Sequence, residues 1–121
     1  MIDVIILVLI CVVIGGFAQV YMKLGVTKLG GVELKDLISK RLISIIFDKY
    51  VFTGIILYTI TTLLWFVILS KAELSFVYPL AALGYIVTAL LAKFYFHEEI
   101  TLLRWFGILL IIGGAYLVIK S

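Results

Sequence analysis

The chain has 121 residues, 65% of them hydrophobic, and a mean hydropathy of +1.32. A soluble domain of this length has too little interior to hide so much apolar surface, so a bilayer must cover most of it. Ten Lys and Arg against seven Asp and Glu give a formal charge of +3; the cations flank the apolar runs, which suits a membrane surface and argues against nucleic acid.

Backbone polar groups in lipid need internal partners, so spans must be helices or a closed barrel. The apolar runs are continuous and do not alternate, which selects helices. The expected fold is all-α: one integral membrane domain over residues 1–121, a four-helix transmembrane bundle with an interfacial amphipathic helix between spans one and two. No basic residue precedes the first run, and no small-x-small cleavage site follows Gly15-Gly16, so a retained span is expected there and not a cleaved leader. A single Cys and a single His offer no disulfide and no metal cluster, and no cofactor motif is present.

Span one is predicted from Ile2 to Lys23. Cys11 reads as a small lipid- or core-facing residue. Gln19 and Lys23 are four residues apart and share a helix face. An amide inside an apolar run must find a partner, so Gln19 is either an interhelix staple or a substrate contact. Lys23 can snorkel to the headgroups.

The link to span two carries Gly25, Gly30 and Gly31, a flexible joint. Leu34, Leu37, Ile38, Leu42, Ile45 and Ile46 then fall on one helical face, with Lys35, Asp36, Lys40, Ser44 and Asp48 off it. This predicts an amphipathic helix lying in the interface and anchoring span one to span two.

Span two is predicted at Tyr50–Ser70, span three at Ser75–Phe96 and span four at Thr101–Lys120. The turns Lys71-Ala72-Glu73-Leu74 and His97-Glu98-Glu99-Ile100 are tight, so the last three spans should pack antiparallel to their neighbours. Basic residues concentrate in the first and third connections, which the positive-inside rule places in the cytoplasm of an inner or plasma membrane, with both termini outside.

Pro79 in span three removes one backbone donor, frees the carbonyl of Ser75 and predicts a bend. A broken helix at membrane depth often lines a cavity. Tyr78 offers a hydroxyl beside that bend, and Tyr85 lies seven residues on, on the same face. Lys93 and Arg104 sit at the level of Lys23, so the three could form a cationic collar for a phosphate. Glu98 could pair with Arg104 or Lys93, or hold a substrate amine. Gly107, Gly113 and Gly114 make a small-residue stripe on span four, the candidate dimer seam. Transporters commonly pair two related halves around a midplane site, and four helices make one half, so a dimer is expected.

No nucleophile–base set, buried carboxylate pair or phosphate-cradling Gly loop appears, so the chain does not read as an enzyme. Asp3, Glu33, Asp36, Asp48, Glu73, Glu98 and Glu99 all sit at span ends or in connections. A midplane proton relay needs an ionisable group at depth, and the chain places none there.

Tyr78-Pro79-Leu80, Phe96-His97-Glu98-Glu99-Ile100, Arg104-Trp105-Phe106-Gly107 and Ile111-Ile112-Gly113-Gly114 together resemble the drug/metabolite transporter superfamily. Its four-helix members are the small multidrug resistance proteins and the two small subunits of the aminoarabinose–undecaprenyl phosphate flippase. The pattern Ala18-Gln19 with Lys23 four residues on is similar to the flippase subunits. Multidrug members carry an embedded Glu eight residues before a Lys at the end of span one; here that position is Gly15. Their aromatic three residues after the span-three tyrosine is here Ala81. The resemblance therefore implies a subunit that moves a polyprenyl-phosphate-linked sugar or related lipid between leaflets, as a homodimer or a heterodimer with a similar small subunit. The alternatives are a small-solute or drug exporter of the same superfamily and a non-transporting membrane subunit of a glycosyltransferase system.

Overall fold

The computed structural model describes residues 2–121, which are helical nearly throughout. The elements are α1 (Ile2–Lys28), a short 3₁₀ helix (Leu34–Ile38), α2 (Arg41–Ile46), α3 (Lys49–Lys71), α4 (Leu74–Ala81), α5 (Gly84–Phe96) and α6 (Leu102–Lys120). With α4 and α5 taken as one span, four helical segments are long and apolar enough to cross a membrane. The chain is a multi-pass membrane protein.

Helix α1 is the central element and lies chiefly against α3, then against α5. Glycines make the close approaches. At Gly54 of α3 a Cβ would stand 2.6 Å from Met22 Cγ and 2.8 Å from the Ala18 carbonyl oxygen. At Gly16 of α1 it would stand 2.9 Å from Val87 Cγ1, and at Gly84 it would stand 3.1 Å from Val12 Cβ. Lipid supplies no hydrophobic drive between helices, so such backbone proximity is what holds spans together. Val4, Val8, Cys11, Ile68, Val77 and Leu80 form the buried core where α1, α3 and α4 meet.

Span one is longer than expected: α1 continues past Lys23 to Lys28 before Gly30 and Gly31 (φ 84° and 95°) turn the chain. Glycine suits that left-handed backbone. The joint is pinned and not free. Arg41 donates through Nη2 to the carbonyls of Leu29 (2.8 Å) and Gly31 (3.1 Å), and through Nη1 to Asp36 Oδ2 (2.7 Å).

The interfacial segment is two short pieces and not one helix. Ser39, in extended conformation, separates them. The expected facing holds in the second piece, where Ile45 is buried and Leu42 and Ile46 are half-buried, and is corrected in the first: Asp36, placed off the apolar face, is buried there, while Leu34 and Ile38 are 85% and 91% exposed. The cause is local. The Asp36 carboxylate accepts the Glu33 backbone N–H (2.9 Å) as well as Arg41 Nη1, which turns it inward and leaves Leu34 and Ile38 outward.

The expected antiparallel packing of neighbours holds for spans three and four, where the end of α6 lies by the start of α4, and is slight between spans two and three. α3 and α4 touch little, and α6 packs mainly on α4. The ladder of span three breaks after Pro79 and not before it. Ala82, Leu83, Tyr85 and Ile86 donate to carbonyls three residues back, those of Pro79, Leu80, Ala82 and Leu83. The break falls between the two weak points of the span, Pro79 and Gly84.

Candidate functional site

Two cavities lie along the inner faces of the spans. The first, of about 430 Å³, is lined by Gln19, Val20 and Lys23 of α1, by Tyr85, Thr88, Ala92 and Phe96 of α5, and by Glu98. The α5 residues recur every three or four positions, so they form one helical face. The Gly16 and Gly84 approaches set that face opposite Gln19. Gln19 is exposed in this cavity, and its amide has no hydrogen-bond partner among the described residues. The Thr88 hydroxyl donates back to the Gly84 carbonyl (2.9 Å), leaving its lone pairs available.

Lys23 stands at the mouth. Its Nζ pairs with Glu98 Oε2 and lies 4.7 Å above the Phe96 ring centroid. The expected partners of Glu98, Arg104 and Lys93, are therefore corrected to Lys23. Its position follows from the end of α5: His97 adopts the left-handed conformation (φ 54°, ψ 32°) and stops the helix, and the Glu98 N–H donates to the Ala92 carbonyl (3.4 Å). That turn aims the Glu98 side chain at α1.

The three cations do not close into one ring. Lys93 lines a neighbouring, shallower cavity of about 500 Å³ with His97, Glu98, Glu99, Ile100 and Thr101, so Glu98 stands between Lys93 and Lys23. Arg104 lines neither cavity. Its backbone N–H donates to Thr101 Oγ1 (3.2 Å), the cap of α6, and its side chain is exposed.

Tyr78 does not share a cavity with Tyr85. It lines a second pocket of about 250 Å³ at mid-span, with Cys11, Gly15, Tyr58, Thr61, Thr62, Trp65 and Ala81. Its ring meets Trp65 edge-on, centroids 6.0 Å apart at 71°. Each residue in 3₁₀ geometry advances about 120°, not about 100°, so the break at Ala82-Leu83 rotates the two tyrosines off their common face. Sequence reasoning passed over Thr88, Phe96 and this hydroxyl- and Trp-bearing face of span two. Its signal was a run of polar hydroxyls, Tyr58, Thr59, Thr61 and Thr62, in an otherwise apolar span. Gly107, Gly113 and Gly114 face open space, with nothing within 4 Å of a Cβ at any of them.

The linker holds further charge contacts. Asp48 caps α3 by accepting the N–H groups of Tyr50 (3.0 Å) and Val51 (3.2 Å), and Lys28 reaches it at 3.1 Å. Burial pushes the Asp48 carboxyl up, but the Val51 N–H, Lys28 and the Tyr50 N–H together hold it below its ordinary value. Asp36 is held low chiefly by the Glu33 N–H, with Arg41 and Lys35 adding to it against burial.

A bundle of apolar spans around cavities that carry an amide and hydroxyls, with a cation at the rim, suits a small membrane transporter. The sequence profile of the EamA-like transporter family matches residues 37–120. The chain belongs to that family, one of transporters and not of enzymes. Over 55 residues it is 38% identical to the probable 4-amino-4-deoxy-L-arabinose-phosphoundecaprenol flippase subunit ArnE of Pseudomonas fluorescens (strain Pf0-1), which covers 46% of this chain and 48% of that protein. It is 42% identical over 55 residues to the ArnE protein of Enterobacter sp. (strain 638), covering 46% and 51%. It is 34% identical over 59 residues to that of Pseudomonas aeruginosa (strain UCBPP-PA14), covering 49% and 51%. The matched stretch thus spans about half the length of these curated relatives. No solved structure matches the chain.

Proposed function

We propose that the chain is one subunit of a flippase that moves a polyprenyl-phosphate-linked sugar, or a related lipid, between leaflets. The observation that carries this reading is the Gln19–Lys23–Tyr85 cavity: an amide and hydroxyls in its depth, a cation at its mouth and no carboxylate below the rim. Partial similarity to flippase subunits supports the substrate class. The apolar outer faces of the spans leave a prenyl tail in lipid. Gln19, Thr88 and Tyr85 pass the headgroup. Lys23 receives the phosphate, with Lys93 and Arg104 as outlying cations drawing it toward the mouth. The Lys- and Arg-rich linker supports a cytoplasmic position for this mouth. A second, similar or identical subunit completes the pathway across the Gly107, Gly113 and Gly114 stripe.

The test is translocation of a fluorescent short-chain polyprenyl phosphate in liposomes. A hydrogen bond to a charged group contributes about 1.5–3 kcal/mol, so Lys23→Ala combined with Lys93→Ala should slow flipping by at least about tenfold. Undiminished flipping rules the cation sites out.

The mid-span pocket favours a second reading. Its aromatic rings and hydroxyls, with Gly15 in place of an acid, suit a small uncharged solute. Movement of a labelled uncharged solute across proteoliposomes without lipid movement would select a small-solute exporter instead.

A further inference from the structure

We propose that Glu98 is an internal occupant of the phosphate site: its carboxylate holds Lys23 until a phosphate-bearing ligand displaces it and frees the α5–α6 turn. The inference rests on reading Lys23 as the phosphate receiver, and it adds how that site is kept closed. Three observations carry it. The Lys23–Glu98 contact spans residues distant in sequence and joins α1 to the turn after α5, directly across the cavity mouth. Phe96 lies 4.7 Å beneath the ammonium, so Lys23 stays placed whichever anion it meets. The turn itself rests on one left-handed residue, His97, and on a single carbonyl, that of Ala92, which accepts the His97 N–H and, at a long 3.4 Å, the Glu98 N–H, so release of the carboxylate leaves the Glu98 end weakly fixed.

The magnitudes suit exchange. The two side chains are 50% and 37% exposed, so the pair is a weak one. A phosphate monoester offers the same cation more charge and more acceptor oxygens than a carboxylate, and a phosphodiester matches the carboxylate's single charge. Ligand entry then substitutes one anion for another and never strands Lys23 without a partner. The cavity keeps a single anion position that the protein fills when cargo is absent.

Binding of dodecyl phosphate to the full chain in a neutral detergent tests this, with inorganic phosphate as the second arm. Glu98→Gln should tighten dodecyl phosphate by about twofold to fivefold, the size of a half-exposed ion pair's contribution. Glu98→Asp, which retracts the carboxylate by one methylene, should tighten it by less. Lys23→Gln should lose the binding, and Lys23→Gln with Glu98→Gln should bind no better than Lys23→Gln alone. Glu99→Gln removes the neighbouring charge but, among the described residues, no ion pair. Equal tightening there would reduce the effect to net charge and overturn the latch. Unchanged or weaker binding by Glu98→Gln also overturns it, leaving the phosphate reading intact. Full binding by Lys23→Gln overturns the phosphate reading as well. If inorganic phosphate responds to Glu98→Gln as strongly as dodecyl phosphate does, the latch stands and the ligand is free phosphate.

Discussion

The seam of α1 with α3 and the flank of α6 use the same residue, glycine, for opposite ends. At Gly54 the missing side chain is filled by Met22 and the Ala18 backbone, so the chain has closed that contact on itself. At Gly107, Gly113 and Gly114 the missing side chains open onto empty space, and α6 rests mainly on α4 with Ala115 its one buried residue. A glycine in the first setting is a packing requirement of the monomer. In the second it preserves a smooth face that nothing in the monomer needs.

The sharpest way to break this contrast is to add bulk on each side. Gly54→Leu must push Met22 and the α1 backbone aside, and overpacking of this kind costs about 3 kcal/mol. Thermal unfolding of the purified protein in detergent should show a large drop in midpoint. Gly114→Leu should leave that midpoint unchanged, because the face is open, yet lose crosslinkable dimers if the stripe is the seam between subunits. Equal destabilisation by both substitutions would erase the distinction between a closed and an open region.

A smaller effect should separate the linker from the spans. Asp36 and Asp48 tie the ends of α1 and α3 together, and both are held below their ordinary values. A carboxyl whose folded value is depressed contributes stability that is present above its unfolded value of about 3.9 and is lost as pH falls through the folded one. Amide exchange across Gly30–Phe47, corrected for intrinsic rates, should therefore be flat from about pH 6 to about pH 5 and accelerate below about pH 4. The apolar seam around Gly54 should not follow. Protection of the linker that ignores acid would show that Arg41 and Lys28 hold it without their charged partners.

Much of this was legible in the sequence because bilayer physics reads residue runs directly. The four spans, the acids kept to their ends and the Lys23 face needed only length and charge. What escaped was set by contacts between distant residues. No pattern in Leu34–Ile46 says that Arg41 will reach back to the carbonyls of Leu29 and Gly31 and draw Asp36 inward. The parting of Tyr78 from Tyr85 depends on hydrogen bonds shifting to three-residue spacing between Pro79 and Gly84, a choice helical periodicity cannot express. The Lys23–Glu98 pair joins elements that only the α1–α5 packing brings together.

The smallest effect lies at the hinge between the closed and open regions. His97 carries a positive φ of 54°, and a non-glycine residue there costs about 1–2 kcal/mol. Glycine removes that cost but loses about 0.5–1 kcal/mol through its freer unfolded chain. His97→Gly should therefore stabilise the protein by about 0.5–1 kcal/mol, read as a rise in the unfolding midpoint, while His97→Ala should give no gain. The size of the gain measures how firmly the turn is held. A full gain means that the α5 end and the Lys23–Glu98 contact keep His97 in its left-handed conformation even though α6 is loosely packed. No gain from glycine means that the backbone at His97 already relaxes with α6, which would extend the open region back to the rim of the cavity.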